Sequence, residues 1–302
     1  METQQPKVSI IMRSKNSDWV IEEALEGLFA QNFKDFELIV VDSGSTDRTL
    51  EIVGKYPCKL IEIEAKAYYP GIVLNMAIEQ ASADIVVFQN SDTIPLHPEA
   101  LENLVSPFDD PAVQATYARQ TPRPEAQTWV RRDYASSFPE SGPGPEWITL
   151  SLPFAAMRKS IWAQHPFYTA AWASEDTEWG NWARTNGHII RYVPDAVVRH
   201  SHNYTLRQLY GRRFVEGEAD AFIFRNADSL PKMIKRLVQS TWRDCAAYCK
   251  ALDIFRIPYI PIRRTVYHWA YLKGHKLGEQ RIATGDKDTS AGQEIILTRH
   301  DE

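Results

Sequence analysis

Val8-Ser-Ile-Ile-Met-Arg-Ser-Lys-Asn16 and Phe36-Glu-Leu-Ile-Val-Val-Asp-Ser-Gly-Ser-Thr-Asp-Arg-Thr49 are the two stretches that decide the fold. Each holds an apolar run that stops at a polar residue. Runs with so little alternation suit parallel strands buried on both faces. In open α/β sheets, ligands bind outside the carboxyl ends of such strands. Asp42 therefore stands where a ligand sits, not where a core would be. The same placement makes Arg13 and Asn16, which follow the first run, and Ser43, beside Asp42, ligand-binding candidates. Asp47 reads as the N-cap of the next helix.

Working outward, strand-like and helical patterns alternate through the first two hundred residues. Strands are expected at 7–13, 36–41, 59–63, 84–88 and 112–117. Helices are expected from Ser17 or Asp18 through Phe29, from Asp47 to Val53, over 71–81, and from Pro98 to about Val105. This order implies a mainly parallel sheet with right-handed crossovers. Residues 119–147 carry Pro122, Pro124, Pro139, Pro143 and Pro145 and read as one long loop, a feature that is usually functional or disordered. Helices near 158–164 and 176–186 and a strand near 188–193 follow. From Tyr204 the pattern is helical only, and from about Thr284 it is polar and expected to be disordered. The expected division is 1–203, a catalytic α/β domain; 204–283, a helical region; and 284–302, a tail.

The chain has 302 residues and a formal net charge of −5, which does not suggest nucleic acid as a partner. The charge is uneven. From Asn203 to Arg281 there are fifteen Lys/Arg against seven Asp/Glu, so this stretch is near +8 and the remainder near −13. Such a basic segment suits an anionic surface, and it equally suits solvated helix faces. Cys58, Cys245 and Cys249 make no even disulfide framework and point to a reducing compartment. The polar start from Met1 to Lys7 does not read as a signal peptide, and no apolar run is long enough to span a membrane. A cytoplasmic protein, at most peripheral to a membrane, is expected.

Three further motifs carry chemistry. Asp92, in Phe88-Gln-Asn-Ser-Asp-Thr-Ile-Pro95, is a carboxylate just after a buried strand, a position that suits a divalent ion bound with a diphosphate. Asn90 and Ser91, beside it, can hydrogen-bond a donor. His200 and His202 lie two apart and share one face of a strand if that strand persists. Two histidines without cysteine make a weak zinc signal. Glu175-Asp176 opens a helix with Trp179 and Trp182 one turn on, and the helix dipole favours an anion there.

In ordered combination, these motifs resemble an inverting family 2 glycosyltransferase of the GT-A fold: a Rossmann-like, mainly parallel α/β sheet flanked by helices, here followed by a C-terminal helical segment. Ser91-Asp-Thr-Ile-Pro95, Arg119-Gln-Thr-Pro122 and His200-Ser-His-Asn203 are similar to the bacterial rhamnosyltransferase-like subgroup. The likeness runs over roughly residues 7–227. It implies that Asp42 contacts the nucleotide of a nucleoside-diphosphate sugar and that Asp92, with His200 ahead of His202, holds Mg²⁺ or Mn²⁺. It further implies that Asp176, beside Glu175, is the general base for a glycan or lipid-linked acceptor. Gly71 and Asn75 match the family's Gly-x-x-x-Asn helix start beside the donor, and Lys66 lies just upstream, in reach of a phosphate or merely exposed. Asn90 stands where the family's Asp-x-Asp has its first acid.

Other readings compete. A dinucleotide-dependent oxidoreductase would show G-x-G-x-x-G after the first strand, where this chain has Arg13-Ser-Lys-Asn. No P-loop pattern is present. A nucleotidyltransferase, or an inactive homologue that binds glycans, shares the fold class and stays open.

Overall fold

The two apolar runs become adjacent parallel strands, β1 (Val8–Ser14) and β2 (Phe36–Asp42), joined through α1 (Ile21–Phe29). Ser14 stands opposite Asp42, so both runs end at the same edge. The computed structural model describes residues 5–297. After β2 come α2 (Thr49–Val53), β3 (Lys59–Glu62), α3 (Pro70–Glu79), β4 (Ile85–Asn90), β5 (Ile94–Pro95), α4 (Ala100–Val105) and β6 (Val113–Thr121). Then follow α5 (Thr128–Ser137), β7 (Phe154–Arg158), α6 (Lys159–Trp162), α7 (Glu175–Thr185) and β8 (Ile189–Arg199).

The eight strands form one sheet in the order β3-β2-β1-β4-β7-β6-β8-β5. It is mixed and mostly parallel. β1 pairs in parallel with β2 and β4, β2 with β3, and β6 with β8. β7 runs antiparallel to β4 and β6, and β5 antiparallel to β8. Successive residues of β1 serve opposite faces. Ile11 packs with Val73 and Leu74 of α3 and Trp179 of α7, while Ile10 and Met12 pack with Leu25 of α1 and Leu101 of α4. Burying each such side chain contributes roughly 1.5–3 kcal/mol, and burial on both faces explains the unalternating sequence.

Three expectations for residues 119–199 change. The proline-rich stretch 119–147 is not one loop. β6 runs on to Thr121, and α5 occupies Thr128–Ser137 with Trp129 and Val130 buried. Pro124 and Pro139 bracket this helix rather than break it. β7 was hidden by its short, alanine-rich run Phe-Ala-Ala-Met and adds the antiparallel pairings. β8 does not stop at Val193. Its register with β6 jumps from Ala118–Val193 to Arg119–Val197, a bulge that absorbs Pro194 and carries the strand on to Arg199.

A second unit comprises residues 125–133, 168–174 and everything from His202 onward, while the rest of the chain forms the first. The second unit holds α8 (Leu206–Phe224), α9 (Leu230–Lys250), α10 (Tyr259–Thr284) and α11 (Ser290–Leu297). A capping box starts α8: Gln208 N donates to Thr205 Oγ1 at 3.3 Å, and Thr205 N to Gln208 Oε1 at 3.0 Å. Gly217 and Gly274 let α8 and α10 touch backbone to backbone. A Cβ on the first would collide with the Tyr271 carbonyl, and one on the second with that of Phe214. Of the polar end expected to be disordered, residues 290–297 form α11, started by Asp288 accepting from Ser290 N at 2.9 Å. Residues 298–302 lie outside the described residues. Cys58, Cys245 and Cys249 are free thiols.

Candidate active site

The carboxyl ends of β1, β2 and β4 bring the first group of candidates together. Asp42 is wholly buried and already bonded three times. It accepts from Ser14 Oγ at 2.7 Å, Ser45 N at 2.8 Å and Ser45 Oγ at 2.6 Å. The carboxylate thus shapes the turn after β2, where Gly44 takes a φ of +77° that favours glycine. Asn16 adopts a left-handed φ of +44° and locks the first turn to the second. Its Oδ1 accepts from Thr46 N, and its N–H donates to Ser45 Oγ, both at 2.9 Å. Ser43 is buried, and its hydroxyl has no hydrogen-bond partner among the described residues.

Arg13 spans three elements. It donates to Glu175 at 3.1 Å, to Tyr68 at 3.4 Å and, at the limit of hydrogen bonding, to Asn90 Oδ1 at 3.5 Å. Burial opposes its charge, but Tyr68 and Glu175 more than offset that and hold the guanidinium above its ordinary value. Glu175 thus reaches from the start of α7 to the end of β1. Ser91 bonds Ser17 Oγ at 2.8 Å, tying the turn after β4 to the turn after β1.

Asp92 and His200 meet at this end of the sheet. Asp92 Oδ1 and His200 Nε2 are 3.7 Å apart, both largely buried. The bulge in β8 positions the histidine, whose N–H donates to Thr121 O at 3.0 Å. Its ring is oriented from behind. Gln120 donates through Nε2 to Ser151 Oγ at 2.8 Å, so its oxygen takes the Nδ1 proton of His200 at 2.9 Å. In the neutral ring this tautomer leaves the Nε2 lone pair on the Asp92 side. Arg123 reaches the Asp92 carbonyl at 2.7 Å and holds the turn. Gln120 and Arg123 were not singled out from the sequence. The Arg-Gln-x-Pro run was noted as a motif, but only the strand extension shows that its glutamine faces the histidine.

Asp176 sits in the first turn of α7. Thr177 N donates to its Oδ1 at 2.7 Å and Leu152 N to its Oδ2 at 3.4 Å. Trp179, on the same helix, is fully buried in the core. Asn75 is engaged in packing: its Oδ1 accepts from Trp162 Nε1 and Phe167 N, both at 2.9 Å, and its Nδ2 donates to Phe167 O at 2.8 Å. Gly71 is buried in the first turn of α3. Lys66 is exposed and pairs with Glu64 at 3.0 Å. His202 falls with the second unit, where its ring stacks on Tyr204 with centroids 5.3 Å apart.

Residues 9–172 match the model of Glycosyl transferase family 2. The chain belongs to that family. Among curated relatives, the O-antigen chain rhamnosyltransferase RfbN of Salmonella typhimurium is 29% identical over 228 residues, 70% of this chain and 71% of its own length. WbaN of Salmonella anatum, also an O-antigen chain rhamnosyltransferase, is 33% identical over 193 residues, 60% of this chain and 61% of its own length. The fold is shared with the mannosyltransferase PcManGT of Pyrobaculum calidifontis, solved with GDP-Man and Mn²⁺. The TM-score is 0.60 at 18% identity, over 98% of this chain and 80% of that one. In this family 2 glycosyltransferase of the GT-A fold, Arg13, Asp42, Ser43, Asn90 and Asp92 stand at the carboxyl ends of β1, β2 and β4, the edge where ligands bind in open α/β folds.

Proposed function

We propose that this glycosyltransferase moves a sugar from a nucleoside-diphosphate donor to a hydroxyl of a glycan or lipid-linked acceptor, with inversion at the transferred carbon. The observation that carries the reading is the Asp92–His200 pair, one oxygen and one oriented imidazole nitrogen 3.7 Å apart at the end of β4. This donor set fits a divalent cation, and the imidazole favours Mn²⁺ over Mg²⁺. Asp92 and His200 would hold it. When bound, the ion supplies charge neutralisation for the leaving diphosphate.

The chain's own residues do the remainder. Asp176 takes the proton of the acceptor hydroxyl, its carboxylate held by the amides of Thr177 and Leu152. Glu175 fixes Arg13, which adds positive charge beside Asn90. The turns shaped by Asp42 and Asn16 present Ser43 to the nucleotide. A deoxysugar nucleotide is the donor of first choice, dTDP-L-rhamnose before others, because two curated relatives transfer rhamnose.

A thermal-shift panel of nucleoside-diphosphate sugars with and without Mn²⁺ tests the reading. A donor that binds only the folded chain raises its apparent stability. Stabilisation by a dTDP-sugar that needs Mn²⁺ supports it. Stabilisation by UDP-hexoses alone removes the rhamnose assignment, and indifference to every nucleotide sugar removes the function.

A further inference from the structure

Helix α9 exposes apolar side chains in an ordered row. Leu230, Ile234, Val238 and Trp242 recur every fourth residue and are 50%, 48%, 62% and 73% exposed. That spacing puts them on one stripe. The packing face lies elsewhere on the helix, where Met233, Ser240, Asp244 and Tyr248 are buried. The turn after α9 adds Leu252, Ile254 and Phe255, the last 94% exposed. Single exposed apolar residues are ordinary on a protein surface, whereas a row with a tip of this kind marks an interaction face.

The charges beside the stripe have one sign. Apart from Asp244, the charged residues of α9 are Lys232, Lys235, Arg236, Arg243 and Lys250. At roughly 100° per residue, Lys235, Arg243 and Lys250 fall in the sector adjoining the stripe. Asp244 is buried and spent on Arg132, Arg263 and Arg264. Asp253 is half-buried and is engaged by Thr128 at 3.0 Å and Arg256 at 3.8 Å.

We propose that α9 and the 252–255 turn form an interfacial face that lies on an anionic lipid surface. The apolar stripe enters the acyl boundary, and the basic side chains stay at headgroup level. Charge selects this occupant. A second copy laid on the stripe would bring like charges together, and a neutral apolar partner would leave the basic row unanswered. The contact is peripheral, since among the described residues no helix is long and apolar enough to cross a membrane. It does not depend on which sugar or nucleotide the enzyme uses.

Co-sedimentation of the full chain with vesicles tests it. The expected result is pelleting with phosphatidylglycerol-containing vesicles at low salt, release at high salt, and no pelleting with phosphatidylcholine alone. Combined Lys235→Gln, Arg243→Gln and Lys250→Gln should weaken partitioning by about fivefold per charge removed. Trp242→Ser with Phe255→Ser should abolish it with all charges intact. Both variants change exposed residues, so an unaltered melting temperature verifies their folding. Equal pelleting with both vesicle types, no pelleting at all, or unchanged binding by both variants would overturn the proposal. So would a dimer in sedimentation velocity that the Trp242–Phe255 double variant dissociates.

Discussion

His200 presents Nε2 to Asp92 Oδ1 at 3.7 Å because Gln120 holds the opposite nitrogen of its ring at 2.9 Å. A ligand histidine generally needs such a partner to fix its tautomer and raise its basicity. Gln120 is itself fixed by Ser151, so the orientation passes from β7's approach segment through β6 to the end of β8.

Removing that partner should therefore weaken the metal without touching a ligand. Gln120→Leu is expected to lower the Mn²⁺-dependent affinity for a nucleoside diphosphate about 10–100-fold. Asp92→Ala should abolish the metal dependence altogether. Titration calorimetry with Mn²⁺ and with chelator reads both. Equal affinities in the two conditions for the unaltered enzyme would point instead to charge neutralisation by Arg13 and His200.

Asp176→Asn keeps the shape and one of the two backbone hydrogen bonds, that from Thr177 N, but cannot accept a proton. A general base contributes about 10²–10⁴-fold. Turnover should fall by that factor, while donor binding in the thermal-shift panel persists. Near-normal turnover would exclude Asp176 as the base.

The sheet edge was legible because burial on both faces leaves an unalternating apolar run, and such runs end at the polar residues of β1, β2 and β4. The antiparallel strand β7 was not legible. Phe154–Met157 is short and half alanine, and its burial comes from neighbours far along the chain. Asp42 was placed correctly at a strand end, but its three hydrogen bonds within the turns depend on Ser14 and Ser45 meeting there, which no local pattern shows. Asn75 reads as a donor contact in the motif and carries the 162–167 segment in the structure. The bulge at Pro194 explains why the strand was expected to stop near Val193: a proline in a strand pattern normally ends it.

In the second unit, one carboxylate holds three guanidinium groups. Asp244 is fully buried and takes Arg264 at 2.7 and 2.9 Å, together with Arg132 and Arg263. Burial opposes its ionisation, but the arginines dominate and keep it below the usual carboxylate range. Asp244→Asn would leave buried positive charges facing one another. A loss of about 3–5 kcal/mol is expected for breaking such an arrangement from one side. Urea unfolding measures it; a loss under 1 kcal/mol would mean that solvent reaches the cluster.

His268 gives this unit a dependence on pH. Its Nε2 lies 2.8 Å from Ser240 Oγ. Burial, then Arg264, Arg213, Arg236 and Arg243, push its pKa from 6.5 down to about 3. Between those two values the unfolded chain holds a proton on this ring that the folded chain does not. Stability from this residue is therefore complete above pH 6.5 and is lost as pH falls toward 3, at up to about 1.4 kcal/mol per pH unit. Carboxylates held low by arginine, such as Asp244, add their own loss only below about pH 4. Between pH 6.5 and 4.5 the histidine contributes an expected loss of about 2–3 kcal/mol; burial holds Glu218 and Asp220 above their ordinary values, so the comparison with a His268 variant, not the interval alone, isolates it. His268→Gln keeps a polar partner for Ser240 but cannot titrate, so its urea-derived stability should stay flatter over that interval. Parallel curves for the two proteins would show that His268 is protonated in the folded chain or that its region opens before the rest unfolds.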